Sequence, residues 1–146
     1  MIVYFDTSAI VPIIIEEASS LTASRLWDDA DRVLSSRLVY AEGRAALAMA
    51  GRMERLEEDE LRAAVRAFES LYEQLDLVEV TSGLVHDAGT LAERFALRGY
   101  DAVHLASAHL VHDPDLVLAA GDQSLLEAAQ ELEIATSNLQ HRGPQM

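Results

Sequence analysis

Cysteine and lysine are both missing from this 146-residue chain. Without cysteine there can be no disulfide and no thiolate metal site. Without lysine there is no Gly-Lys phosphate loop and no amine for Schiff-base chemistry; all 11 basic residues are arginine. Phosphotransfer folds that set a lysine beside their aspartates are disfavoured by the same absence. Trp27 and the scattered tyrosines are too few for a base-stacking platform. No apolar run reaches the roughly 18 residues of a membrane span: Ile10 to Ile15 is interrupted by Pro12 and followed by Glu16 and Glu17. The opening Met-Ile-Val-Tyr-Phe-Asp lacks the basic start of a signal peptide and is expected to be a first strand. The composition suits a cytoplasmic protein with no membrane association.

What is present is ample apolar material, 50% of the chain, enough for one domain with a substantial core. The net charge of −14 argues against a nucleic-acid partner, but the charge is unevenly spread. Arginines 37, 44, 52, 55, 62 and 66 are balanced by six acids at 42, 54, 57, 58, 59 and 60, so that all of the −14 lies outside residues 37–66. That stretch is the least repulsive to a phosphate backbone, although a helix surface laced with salt bridges explains the same pattern.

The chain shows no repeat, linker or low-complexity tract. Periodicity and turn residues predict strands at Ile2–Phe5, Arg32–Ser35, Leu75–Val80, Leu116–Ala120 and Ile134–Thr136. Helices are expected at Ala9–Ala18, Leu21–Ala30, Arg37–Arg52, Glu57–Gln74, Leu84–Leu97, Asp101–His112 and Asp122–Leu132. This alternation predicts an α/β fold with a parallel sheet and helices on both faces. Residues 1–137 are expected to form the domain and 138–146 a polar tail.

Four acids stand out. Ligands of parallel α/β sheets bind outside the carboxyl ends of the strands, where Asp6 and Asp122 are expected to emerge together. Each also suits a helix N-cap, worth about 1 kcal/mol. Glu42 shares a helical face with Leu38, Ala45 and Met49, an inward acid that is costly unless paired or bound to a cation; Arg37 or Arg44 are possible partners. Asp101 opens an otherwise apolar helix, where a cap or first-turn acid is equally favoured. If the four converge, each ionised pair at roughly 5 Å costs about 3 kcal/mol, so at least one acid should hold a proton until a divalent cation removes the repulsion. Oxygen ligands favour Mg²⁺ or Mn²⁺ over zinc. His104, His109 and His112 share a helix and are read as packing or capping residues, as are His86 and Asp87.

The opening strand with Asp6-Thr7-Ser8-Ala9, the segment Ser36-Arg37-Leu38-Val39-Tyr40-Ala41-Glu42, the run Leu97-Arg98-Gly99-Tyr100-Asp101-Ala102-Val103-His104-Leu105-Ala106 and the pair Gly121-Asp122 together resemble the PIN domain, and within it the VapC-type toxins of bacterial toxin–antitoxin pairs. The resemblance spans about residues 1–136. It implies a three-layer α/β/α fold around a mostly parallel sheet of four to five strands. It also implies a metal-dependent endoribonuclease with Asp6, Glu42, Asp101 and Asp122 as catalytic metal-site acids. Ser8 matches the small hydroxyl residue beside the first aspartate, whereas Ala120 stands where the family often has Thr or Ser. Ser8, Arg44 and Arg98 are candidate substrate contacts. The implied partners are RNA, a second copy in a homodimer, and a small cognate antitoxin whose basic segment would reach the carboxylates while an apolar segment covers Val11, Ile13, Ile14 and Ile15. A nuclease of the same fold acting on DNA and a catalytically silent PIN-like binding module are the alternatives; a phosphatase with Asp6 as nucleophile is weakened by Ser8, which occupies the place of its second aspartate.

Overall fold

A computed structural model describes residues 1–140. The strands are β1 (Ile2–Phe5), β2 (Arg32–Ser36), β3 (Asp76–Val78), β4 (Leu116–Ala120) and β5 (Ala135–Asn138). The helices are α1 (Thr7–Ile14), α2 (Ser20–Asp29), α3 (Val39–Arg52), α4 (Glu58–Gln74), α5 (Ser82–Phe95), α6 (Gly99–Val111) and α7 (Gln123–Glu131). All strand pairs are parallel and the order is β3-β2-β1-β4-β5. The expected α/β architecture is therefore present, with five strands.

The continuous apolar run of β1 is explained by its central place, where both faces of the strand are covered. Side chains alternate across it. Tyr4 packs with Leu34 and Leu118 into the core under α5, α6 and α7, whereas Val3 and Phe5 join Ala119 in the core shared with α1, α3 and α4. The three layers follow from that alternation. Two helices meet closely where α3 crosses α4: a Cβ on Gly43 would stand 2.4 Å from Cζ of the buried Phe68 ring, so only glycine fits at that crossing.

Several boundaries differ from expectation for local reasons. Helix α1 stops at Ile14, not 18, because Ile15 is extended and Ser20 Oγ closes the turn, accepting from Glu17 N at 2.8 Å and donating to the Ile15 carbonyl. Helix α3 starts at Val39, after Ser36 Oγ accepts the Leu38 N–H at 3.1 Å. Helix α6 starts two residues early, at Gly99, so Asp101 lies in its first turn and does not cap it. The packed chain also continues past residue 137: β5 reaches Asn138 and Leu139 is buried. The rest of the expected tail, 141–146, lies outside the described residues. Among the described residues, no helix is long and apolar enough to cross a membrane.

Candidate active site

The strand order sets the site. With β1 and β4 adjacent and Phe5 level with Ala119, the turns that follow them lie side by side. Asp6 and Asp122 leave the sheet there. Each caps a helix, as its residue type favours: Asp6 Oδ1 accepts from Ala9 N at 3.1 Å, and Asp122 Oδ1 accepts from Leu125 N at 2.9 Å. Ser8 joins the two turns, donating to Asp6 Oδ1 at 2.7 Å and accepting from Gly121 N at 2.9 Å.

A cavity of about 110 Å³ opens at this edge, lined by Asp6, Thr7, Ser8, Glu42, Arg98, Tyr100, Asp101, His104 and Asp122. All four acids singled out in the sequence share this lining, and so do Ser8 and Arg98. Arg44 does not. Two residues after Glu42, it points about 200° away around the helix and bonds the Tyr40 hydroxyl at 2.8 Å and Glu69 at 3.4 Å. Arg37 is equally remote, paired with Glu79.

Glu42 is inward-facing for a different reason from the one its spacing suggested. The buried face of α3 is Val39, Gly43, Leu47 and Ala50, whereas Ala45 is exposed and Met49 is 53% exposed. Glu42 lies on the flank of the buried stripe. Its Oε1 accepts from Thr7 Oγ1 at 2.9 Å and lies 2.7 Å from His104 Nε2. The other imidazole nitrogen, Nδ1, is 2.8 Å from the Tyr4 hydroxyl. Thr7, Tyr4 and His104 are the residues that sequence reasoning passed over. Their signals were faint: a hydroxyl beside Asp6, and a histidine three residues after Asp101 and hence on the same face of α6. His109 and His112 are exposed, lie edge to face with each other and do not line this cavity.

Arg98 spans the remaining two acids. Its Nε donates to Asp101 Oδ2 at 3.0 Å and its Nη2 to Asp122 Oδ2 at 3.3 Å, while its guanidinium lies 4.8 Å from the centre of the Tyr100 ring. Electrostatics follow burial. Desolvation pushes the Asp6 carboxyl up to about 6 despite the nearby His104 and the hydrogen bonds from Ser8 and Ala9. Burial also raises Asp101, against the pull of Arg98. Desolvation, rather than the crowding of carboxylates expected from the sequence, is the main cause; the Asp101 charge is only a minor contribution at Asp6.

The donor set suits a hard divalent cation. Asp6 and Glu42 each direct their hydrogen bonds to one oxygen, leaving Asp6 Oδ2 and Glu42 Oε2 for an ion. Among the described residues, no group of three or more His, Asp or Glu side chains is already gathered to hold a metal. Mg²⁺ does not require one, since it is commonly bound through one or two carboxylates and keeps several waters.

Comparison with known proteins agrees with the architecture. The chain is 51% identical over 124 residues to Ribonuclease VapC45 and to Ribonuclease VapC49 of Mycobacterium tuberculosis, covering 85% of this chain and 86% of each relative. It superposes on FitAcB from Neisseria gonorrhoeae with a TM-score of 0.71 at 17% identity, covering 96% of this chain and 99% of that one. For VapC20 of M. tuberculosis, described as a sarcin-ricin loop cleaving toxin, the TM-score is 0.66 at 23% identity, covering 86% and 94%. The PIN domain model matches residues 3–132. A parallel sheet that delivers acids from β1 and β4 to one edge, together with a match over nearly the whole chain, places this protein in the PIN domain family.

Proposed function

We propose that this chain is a divalent-metal-dependent endoribonuclease and the toxin of a toxin–antitoxin pair. The observation that carries the reading is the single cavity lined by Asp6, Glu42, Asp101 and Asp122. The 51% identity to two proteins named as VapC ribonucleases supports RNA as the polymer.

The four acids would hold Mg²⁺ or Mn²⁺. A divalent cation, when bound, supplies Lewis-acid polarisation and charge neutralisation for phosphodiester hydrolysis. The chain's own residues set the stage for it. Asp6 and Asp122 are fixed by their capping bonds, and Ser8 keeps their two turns together. Arg98 holds Asp101 and Asp122 with a side chain that is 63% exposed, so it is free to swing onto a phosphate when a cation takes over those acids. Ser8 is better explained as this brace than as a substrate contact.

The antitoxin and dimer belong to the same reading. Of the expected apolar set, Ile14 and Ile15, but not Val11 and Ile13, line a groove of about 510 Å³ with Ala63, Ala64 and Ala67 of α4 and the charged Glu16, Arg55 and Glu60, a mixed surface that supports docking of an antitoxin segment with both apolar and charged residues. The charge of −14 favours a basic partner. Leu110 and Leu91 line a second, largely apolar hollow between α5 and α6, surface that suits a second copy.

The test is a cleavage assay on RNA and DNA with purified protein. RNA should be cut with Mg²⁺ or Mn²⁺ and left intact with EDTA, and Asp101→Asn should be inactive though folded. Undiminished cleavage in EDTA would rule out metal dependence, and cleavage of DNA alone would rule out the ribonuclease. Arg98→Gln gives a second check. Removing a cation that competes for Asp101 and Asp122 should tighten Mn²⁺ binding roughly two- to fivefold, on the scale of an exposed ion pair, while weakening RNA binding. Calorimetric titration that finds weaker Mn²⁺ binding would show that Arg98 assists the ion.

A further inference from the structure

We propose that His104 is a positioning residue that, with Tyr4 behind it, holds Glu42 in the orientation needed to bind a cation. The proposal rests on the metal-site reading given above.

A glutamate has one more side-chain torsion to fix than an aspartate, and freezing such torsions costs conformational entropy. Asp6 and Asp122 are fixed by the helix N–H groups that they cap. Glu42 has no such anchor, since it lies within α3 rather than ahead of it. Its orientation depends on two side chains from other elements, Thr7 on α1 and His104 on α6, both bonded to Oε1. Thr7 follows Asp6, and His104 stands one turn beyond Asp101. Glu42 is therefore located by the two helices that carry two of the other acids.

In the neutral imidazole the bonding also fixes the tautomer. An ionised Glu42 only accepts, so Nε2 must carry the hydrogen that is shared over 2.7 Å. Nδ1 then accepts from the Tyr4 hydroxyl at 2.8 Å. Tyr4 is fully buried in the central strand, and a phenol hydroxyl can donate as well as accept. His104 itself is 1% exposed. A leucine would fill that space as well, so packing alone does not explain an imidazole there. Among the described residues, no buried side-chain nitrogen or oxygen lacks a partner, so the relay is complete from Tyr4 to Glu42. Outer-shell groups of this kind set the orientation and basicity of metal ligands, and losing one typically costs about 10- to 100-fold in affinity.

Two measurements test this. Nitrogen-15 NMR of the metal-free wild-type protein should find His104 protonated on Nε2 and bare on Nδ1; a proton on Nδ1, alone or with one on Nε2, overturns the relay. Mn²⁺ titration should then show binding weakened about 10- to 100-fold in His104→Leu. His104→Gln, which keeps a donor near the Nε2 position, should recover most of the affinity. Equal affinity in His104→Leu and wild type, or His104→Gln binding as weakly as His104→Leu, overturns the positioning role. If the leucine variant does not fold, the glutamine variant and the tautomer decide. A wild-type protein that binds no Mn²⁺ would refute the metal reading itself, which the NMR result does not depend on.

Discussion

Asp6→Asn should abolish cleavage and yet make the metal-free protein more stable. Under the proposed metal site, the loss of activity follows from removing one charge and one candidate cation ligand, and at least a 100-fold drop, about what the loss of one electrostatic group costs other active sites, is expected. The gain follows from burial. The Asp6 carboxyl is 4% exposed as a residue and is pushed up to about 6 by desolvation, so near neutral pH the folded chain carries a buried charge that the unfolded chain would solvate freely. A shift of this size corresponds to at most ~3 kcal/mol. Asparagine is as good an N-cap as aspartate and keeps an oxygen to accept from Ser8 Oγ and Ala9 N, the two bonds that Oδ1 now makes. The net gain should be ~1–3 kcal/mol, or roughly 3–10 °C in Tm for a chain of this size. Thermal melts in EDTA, paired with RNA cleavage in Mg²⁺, measure both effects. A variant that cleaves normally would remove Asp6 from the metal set. A variant that melts lower would mean that the ionised carboxylate is stabilised in place rather than merely tolerated.

This opposition between stability and activity is characteristic of functional sites, and it bears on what the sequence made legible. Asp6 and Asp122 could be placed because strand ends in parallel sheets are fixed by topology, and the β1–β4 adjacency puts them on one edge. Asp101 was marked by a polar residue opening an apolar helix. Glu42 was found by a stripe that does not face the core. The buried face of α3 is turned by about one residue, to Gly43 and Leu47, because Gly43 lets Phe68 of α4 approach where a Cβ would clash. Helical periodicity alone carries no information on which neighbour comes closest. His104 was missed for a related reason: in sequence it is one of three histidines on a helix, and only the fold shows it between Tyr4, 100 residues earlier, and Glu42, 62 residues earlier. Arg44 shows the converse: two residues from Glu42 in sequence, it is turned toward Glu69 and lies outside the cavity lining. Contacts across the sheet, not local pattern, separate these residues.

The stabilisation that metal gives should grow as pH rises, even though the metal-free protein should become less stable over the same range. The sign comes from Asp6. Its folded carboxyl titrates near 6, against about 3.9 for an unfolded aspartate. Below about pH 4 both states hold the proton and Asp6 contributes nothing. Between about 4 and 6 the unfolded chain releases the proton while the folded chain keeps it, so the stability of the metal-free protein falls as pH rises, and the full cost is present above about 6. Asp101 is raised by burial as well and adds to the same slope. Cation binding reverses the demand, because the ligands must be ionised. At about pH 5 only about one Asp6 in ten is ionised, so the apparent affinity should be about tenfold weaker than at about pH 7.5. At an excess of about 100 times the dissociation constant, metal adds ~2.7 kcal/mol at the higher pH, and about half of that should remain at the lower. Melts with and without a fixed excess of MgCl₂, at constant ionic strength, give the increment at each pH. In Asp6→Asn the increment should be small and nearly flat, which separates Asp6 from general screening of the surface acids. An increment that is constant with pH in the wild type, or larger at the acidic end, would mean that the cation binds without displacing a proton, and so not through the buried carboxylates at this sheet edge.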